Sequence, residues 1–125
     1  MNISHQELTR SILRCAYNVH SSLGPGLSES KYEECLQNEL DKLGLAVGKQ
    51  MPEHMAGPDQ KTDPDNRSEL LVENKIIIGI KSVEELNLAH MSQLMTYLKL
   101  AGCCIGLLIN FNVKSLKDGI KRIIM

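Results

Sequence analysis

The stretch Arg67–Glu85, RSELLVENKIIIGIKSVEE, constrains the fold more than any other part of the chain. Two runs, Ser68–Glu73 and Ile76–Ser82, are rich in branched apolar residues, the composition of a pleated and buried surface. A short polar turn at Asn74-Lys75 separates them, so the spacing predicts a β-hairpin. Inside this apolar hairpin sit a carboxylate, Glu69, and an amine, Lys81. Burying either charge alone costs several kcal/mol, roughly, so each needs a partner, a metal or water. The simplest outcome is two strand-end side chains that reach solvent as a weak ion pair. The chemical outcome is a hydrolytic site, in which the carboxylate holds a hard cation and the lysine orients water or steadies charge on a phosphate. Register separates the two. A two-residue turn sets Glu69 opposite Ile80 and points Lys81 to the other face. A three-residue loop centred on Asn74, or a bulge, sets Glu69 opposite Gly79 and on the same face as Lys81. The sequence leaves both registers open.

Helical patterns flank the hairpin. Ser4-x-x-Glu7 reads as a capping box, and Leu8, Ile12, Cys15, Ala16, Val19 and Leu23 recur at helical spacing until Gly24-Pro25-Gly26 stops the helix. Ser28 can cap a second helix with the stripe Tyr32, Leu36, Leu40 and Leu43, closed by Gly44 with Leu45 folded back on Leu40. Glu29 falls in its first turn, where the helix dipole favours a carboxylate whether or not it also holds a metal. Leu45–Met51 is a weak strand. Pro52–Asn66, rich in proline, glycine and acidic residues, predicts a mobile loop.

After the hairpin, Asn87 caps a third helix whose expected core stripe is Leu88, Met91, Leu94, Met95, Leu98 and Ala101, ended by Gly102. His90, Gln93 and Tyr97 form a polar stripe beside it, either a half-exposed flank or the rim of a site above the hairpin. Cys103–Phe111, CCIGLLINF, suits a strand buried on both faces. A right-handed strand–helix–strand crossover makes it parallel to Ile76–Ser82. Ser115-x-x-Asp118 predicts a last short helix carrying Ile120, Ile123 and Ile124. The expected order is α-α-β-β-β-α-β-α, an α/β (α+β) chain with a mixed sheet covered by helices.

Composition excludes several classes. The 125 residues fit one domain, residues 1–125, with the 52–66 loop inside it. A net charge of −1 provides no global basic field for nucleic acid, only a modest cluster at Lys114, Lys117, Lys121 and Arg122. Cys15, Cys35, Cys103 and Cys104 lack zinc spacing and read as reduced core cysteines, with neither metal nor disulfide. With no signal peptide and no bilayer-spanning run, the expected location is cytoplasmic.

Gly26-x-x-Glu29-x-x-Tyr32, followed by YEECL, LLVENK, IKSVEEL, QLMTYLKLAG and GLLINFNVKSLKDGIKRI, resembles the GxxExxY protein family of the PD-(D/E)XK nuclease superfamily. The resemblance implies a PD-(D/E)XK nuclease-like fold and Mg²⁺-dependent (or Mn²⁺-dependent) phosphodiester hydrolysis. Residue by residue, it makes Glu69 the first acid, where the family usually has aspartate, and Lys81 the motif lysine. It makes Glu29 the helical carboxylate, so that Glu29 and Glu69 are the metal ligands. Gln93 and Tyr97 match the Gln-x-x-x-Tyr pair that orients substrate, and His90 fits the start of their helix. The second acid is replaced by Gly79. The segment Asp63–Arg67 departs too, with Pro64 where a strand is expected. The expectation is therefore a catalytically impaired or inactive nuclease-like protein. The alternative is a non-enzymatic nucleic-acid-binding or protein-interaction module on the same fold. The implied partner is DNA or RNA and not a membrane, and a homo-oligomer stays open.

Overall fold

A computed structural model describes residues 3–48 and 69–125. Helices α1 (His5–Leu23) and α2 (Glu29–Lys42) come first, then β1 (Val47–Gly48), β2 (Glu69–Val72), β3 (Ile76–Lys81), α3 (Leu88–Ala101), β4 (Ile105–Asn110) and β5 (Ile120–Ile124). The strands form one mixed sheet in the order β1-β2-β3-β4-β5, with β3 in the middle. β3 and β4 are parallel and the other neighbours are antiparallel, as the crossover through α3 requires. The loop expected over Pro52–Asn66 and the unusual Asp63–Arg67 segment lie outside the described residues.

Capping follows the local chemistry. Ser4 Oγ accepts the Glu7 amide at 3.1 Å, and Ser28 Oγ accepts that of Lys31 at 3.2 Å. α2 closes with Gly44 at φ 76° and a 3.3 Å bond from Leu45 N to Leu40 O, a pattern that leaves fewer orphan carbonyls. A complete reciprocal box appears on α3. Asn87 Oδ1 accepts the His90 amide at 3.0 Å, and His90 Nδ1 accepts the Asn87 amide at 3.1 Å. His90 is thus occupied in starting its own helix.

The core has two unequal halves. Leu70, Val72, Ile78, Ile80, Leu107 and Ile109 face α1 and α2, where they meet residues such as Ile12, Tyr32 and Leu36. The opposite face is covered by α3 through Leu94, Tyr97 and Leu98, which rest on Ile77 and Leu108.

Four expectations need correction. The last helix does not form. Leu116–Gly119 make a single 3₁₀ turn, and Ile120–Ile124 pair with β4 as an edge strand. Three isoleucines there are β-branched, and a free ladder on β4 outweighs a weak cap. Strand alternation then sends Lys121 to the face of Leu108 and Arg122 to that of Leu107, so the C-terminal basic cluster is split. On α2, Leu43 is exposed because it falls at the C-cap. On α3, Leu88 is 78 % and Met95 38 % exposed, while Tyr97, read as part of the polar stripe, is buried. The apolar stripe of α3 is wide, and the sheet covers only one side of it. Cys15 and Cys103 are buried, but Cys104 is exposed.

Candidate functional site

The hairpin takes the register with the three-residue loop. Glu69 pairs with Gly79, Leu70 with Ile78, Leu71 with Ile77 and Val72 with Ile76. Glu73 and Asn74 at the loop both have positive φ, 52° and 55°, and Lys75 N closes the turn on Val72 O at 2.9 Å. Asparagine tolerates that conformation well, and the primed turn sense matches strand twist. The Lys75 ammonium also bonds Ile3 O, which ties the turn to the start of α1.

This register sets Glu69, Gly79 and Lys81 on the α3 face. Both charged side chains are buried, and Lys81 Nζ lies 3.9 Å from Glu69 Oε1. The pair is therefore neither solvent-exposed nor on opposite faces. Coulomb attraction between partly desolvated charges is far larger than at a surface, but each also loses its hydration.

Glu29 approaches from the other side of the sheet. Its Oε2 accepts the amide of Ser82, next to Lys81, at 3.1 Å. Ser82 Oγ in turn donates to Leu27 O at 2.6 Å. The loop before Glu29 is held by Tyr32, whose hydroxyl donates to Gly24 O at 2.5 Å and accepts from Leu27 N at 3.1 Å. The tyrosine ring is fully buried and stacks on Phe111, with centroids 4.6 Å apart. Gly26, at φ 95°, completes the turn. Gly26-x-x-Glu29-x-x-Tyr32 is thus a clasp between the start of α2 and the end of β3.

Gln93 and Tyr97 lie on α3, the helix that covers this face. Gln93 is half-buried, and Tyr97 is buried in the apolar cluster with Leu94 and Leu108. The structure thus gathers Glu69, Lys81 and Glu29 around the end of β3 and sets Gln93 and Tyr97 in the layer above.

Asn110 was not singled out from the sequence. It pairs with Lys81 in the parallel register and is 2 % exposed. Its Oδ1 accepts from Val83 N and Asn112 N, both at 3.1 Å, and its Nδ2 donates to Val83 O at 3.0 Å. It clamps the segment that follows Lys81. The signal was one polar residue in the apolar run CCIGLLINF, since a buried carboxamide has to spend its hydrogen bonds on something.

Gly79, where the resemblance would put a second acid, pairs with Glu69. A Cβ there would meet Leu108 Cδ1 at 3.1 Å and Leu94 Cδ2 at 4.0 Å, so apolar atoms already crowd the space over the sheet. Among the described residues, no group of three or more His, Cys, Asp or Glu side chains could hold a metal ion. Glu69 faces a lysine, and Glu29 accepts a backbone amide. The described residues do not fit a resident Mg²⁺, which needs near-octahedral oxygen coordination.

The profile of the PD-(D/E)XK nuclease superfamily matches residues 6–123, and the chain belongs to that superfamily. Its nucleases generally use divalent metals. No curated protein and no solved structure matches the chain. Among the described residues, no helix is long and apolar enough to cross a membrane.

Proposed function

We propose that this chain is a PD-(D/E)XK protein that has kept the nuclease fold but does not hydrolyse phosphodiesters, and that it works by binding. The observation that carries this reading is Gly79. It stands opposite Glu69, with leucine side chains over it, where the metal-binding chemistry needs a second carboxylate. The inherited machinery consists of Lys81, Glu69, Gln93 and Tyr97, with Glu29 and Glu69 as the carboxylates that would hold a cation in an active relative. In this chain Lys81 neutralises Glu69, and Glu29 holds the end of β3. DNA or RNA is the partner class that the superfamily supplies. A protein partner is favoured by the charge beside the site. Glu84, Glu85 and Asp118 line a cavity of about 200 Å³ with Asn110 and Lys121, and three carboxylates there oppose phosphate.

The test is metal response and cleavage, compared with the variant that supplies the missing acid. The wild-type protein should show no thermal shift with Mn²⁺ and should leave plasmid DNA and structured RNA intact in Mg²⁺. Gly79→Glu should melt lower than wild type without metal, because two nearby carboxylates repel and one is pushed toward protonation. Mn²⁺ should restore it by mass action. Any activity of the variant should vanish on adding Lys81→Ala. Cleavage by the wild-type chain that is lost in Lys81→Ala would overturn the reading.

A further inference from the structure

The outer face of α3 carries less charge than those of α1 and α2. Lys99 is the one charged side chain in LAHMSQLMTYLKLA, whereas α2 carries seven over an equal length, with Lys31, Glu34, Asp41 and Lys42 exposed among them. Depletion of charge on an exposed surface is the mark of an interface core. The exposed residues are also arranged symmetrically along the helix. Leu88 and Leu100, 78 % and 49 % exposed, lie equally far from Leu94 on either side. Ser92 and Thr96, both exposed, do the same closer in, with Met95 between them and 38 % exposed. The Thr96 hydroxyl donates to Ser92 O at 3.0 Å, so covering it strands no donor.

The ends carry opposite charge. Exposed Glu84 and Glu85 precede the N-terminus of α3, and Lys99 stands in its last turn. A groove of about 810 Å³ runs beside that N-terminus, lined by Glu84, Glu85, Leu86, Leu88 and Met91 among others, with no lysine or arginine. Such a surface complements itself when turned end for end, as a two-fold interface requires.

We propose that the occupant of this face is a second copy of the chain, docked with its α3 antiparallel to the first. Leu88 of each copy then meets Leu100 of the other across the small residues at the centre, which let the two helices approach closely. Lys99 of each copy reaches Glu84 and Glu85 of the other, and the two helix dipoles oppose each other favourably. The edge strand β5 is the weaker place for a copy. Antiparallel self-pairing there sets Arg122 against itself.

Sedimentation velocity of the whole chain, from micromolar to millimolar concentration, tests this. The wild type should show a concentration-dependent dimer. Lys99→Glu should weaken it by about tenfold or more, since attraction becomes repulsion at two symmetric places. The triple change Glu84→Lys, Glu85→Lys, Lys99→Glu should restore it. Lys121→Glu with Arg122→Glu should leave it unchanged. All these side chains are exposed, so circular dichroism should report unaltered folding. A wild type that stays monomeric throughout would overturn the proposal. So would a dimer indifferent to Lys99→Glu, or one broken by the Lys121 and Arg122 changes.

Discussion

On one face of the sheet, branched side chains meet two helices, and nearly every buried residue is apolar: Leu70, Val72, Ile78 and Ile80 against Ile12, Tyr32 and Leu36. On the other face, among the described residues, a single helix covers the sheet, over a buried glutamate, a buried lysine, a buried asparagine and two glycines. The difference teaches where specificity comes from. The first face is held mainly by burial, which is non-directional and tolerant of exchange between similar volumes, with the Glu29–Ser82 clasp at its edge. The second is held by directed contacts, each costly to break, and leaves part of its helix uncovered.

The sharpest way to break this comparison is to remove one charge. Lys81→Met removes the cation 3.9 Å from the buried Glu69 carboxylate, and should cost roughly 3–5 kcal/mol of unfolding free energy. Glu69→Met together with Lys81→Met should recover most of that loss, because neither desolvation cost then remains. Urea denaturation of the three proteins measures both. A single-variant loss below about 1 kcal/mol would mean that the pair behaves as a surface one.

Core truncations sharpen the same contrast. Leu36→Ala, at a fully buried position between helix and sheet, should cost about 3–5 kcal/mol, since its surroundings are fixed on all sides. Leu94→Ala on α3 should cost about 2–3 kcal/mol, because the helix can settle toward the glycines beneath it. Equal losses would show that the two faces are packed with equal rigidity.

A smaller effect is expected from adding a methyl group under α3. A Cβ on Gly106 would stand 2.9 Å from Leu98 Cδ1 and 3.0 Å from Leu94 Cδ2, so Gly106→Ala must push the helix outward. A loss of about 1–3 kcal/mol follows. Gly79→Ala meets Leu108 Cδ1 at 3.1 Å, the end of one flexible side chain, and should lose less. If Gly79→Ala proves the worse of the two, the space over Gly79 is tighter than its neighbours suggest.

The smallest effect is at alkaline pH. Burial pushes the Cys15 thiol up, with the Glu39 carboxylate adding to it and Arg14 pulling back. Burial, then Cys104, does the same to Cys103. Above the ordinary thiol value of 9.0, the unfolded chain releases protons that the folded chain still holds. Stability should therefore fall as pH rises past that value, until the folded thiols ionise as well. Cys103→Ala should make the fall shallower in denaturation curves taken between about pH 8 and pH 10. An unchanged slope would mean that this thiol titrates alike in both states.

Most of the apolar face was written in the sequence, because periodicity encodes it directly. Leu8, Ile12, Cys15 and Val19 recur at helical spacing, and they are the residues α1 buries. The capping residues Ser4, Ser28 and Asn87 were equally legible, since a cap is satisfied by a neighbour a few residues away. The parallel pairing of β3 with β4 followed from chain connectivity and handedness. Three things needed the tertiary structure. The hairpin register turned on whether Glu73 enters the loop, and only pairing with Gly79 brought Glu69 to Lys81. The last segment became a strand because β4 offered it an open ladder, which no local propensity reports. The wide apolar stripe of α3 did not say which part of it meets the sheet, so Leu88 and Met95 came out and Tyr97 went in. In each case the deciding partner lies far along the chain. Local pattern fixes what a segment can become, and the free energy of its distant contacts selects among those forms.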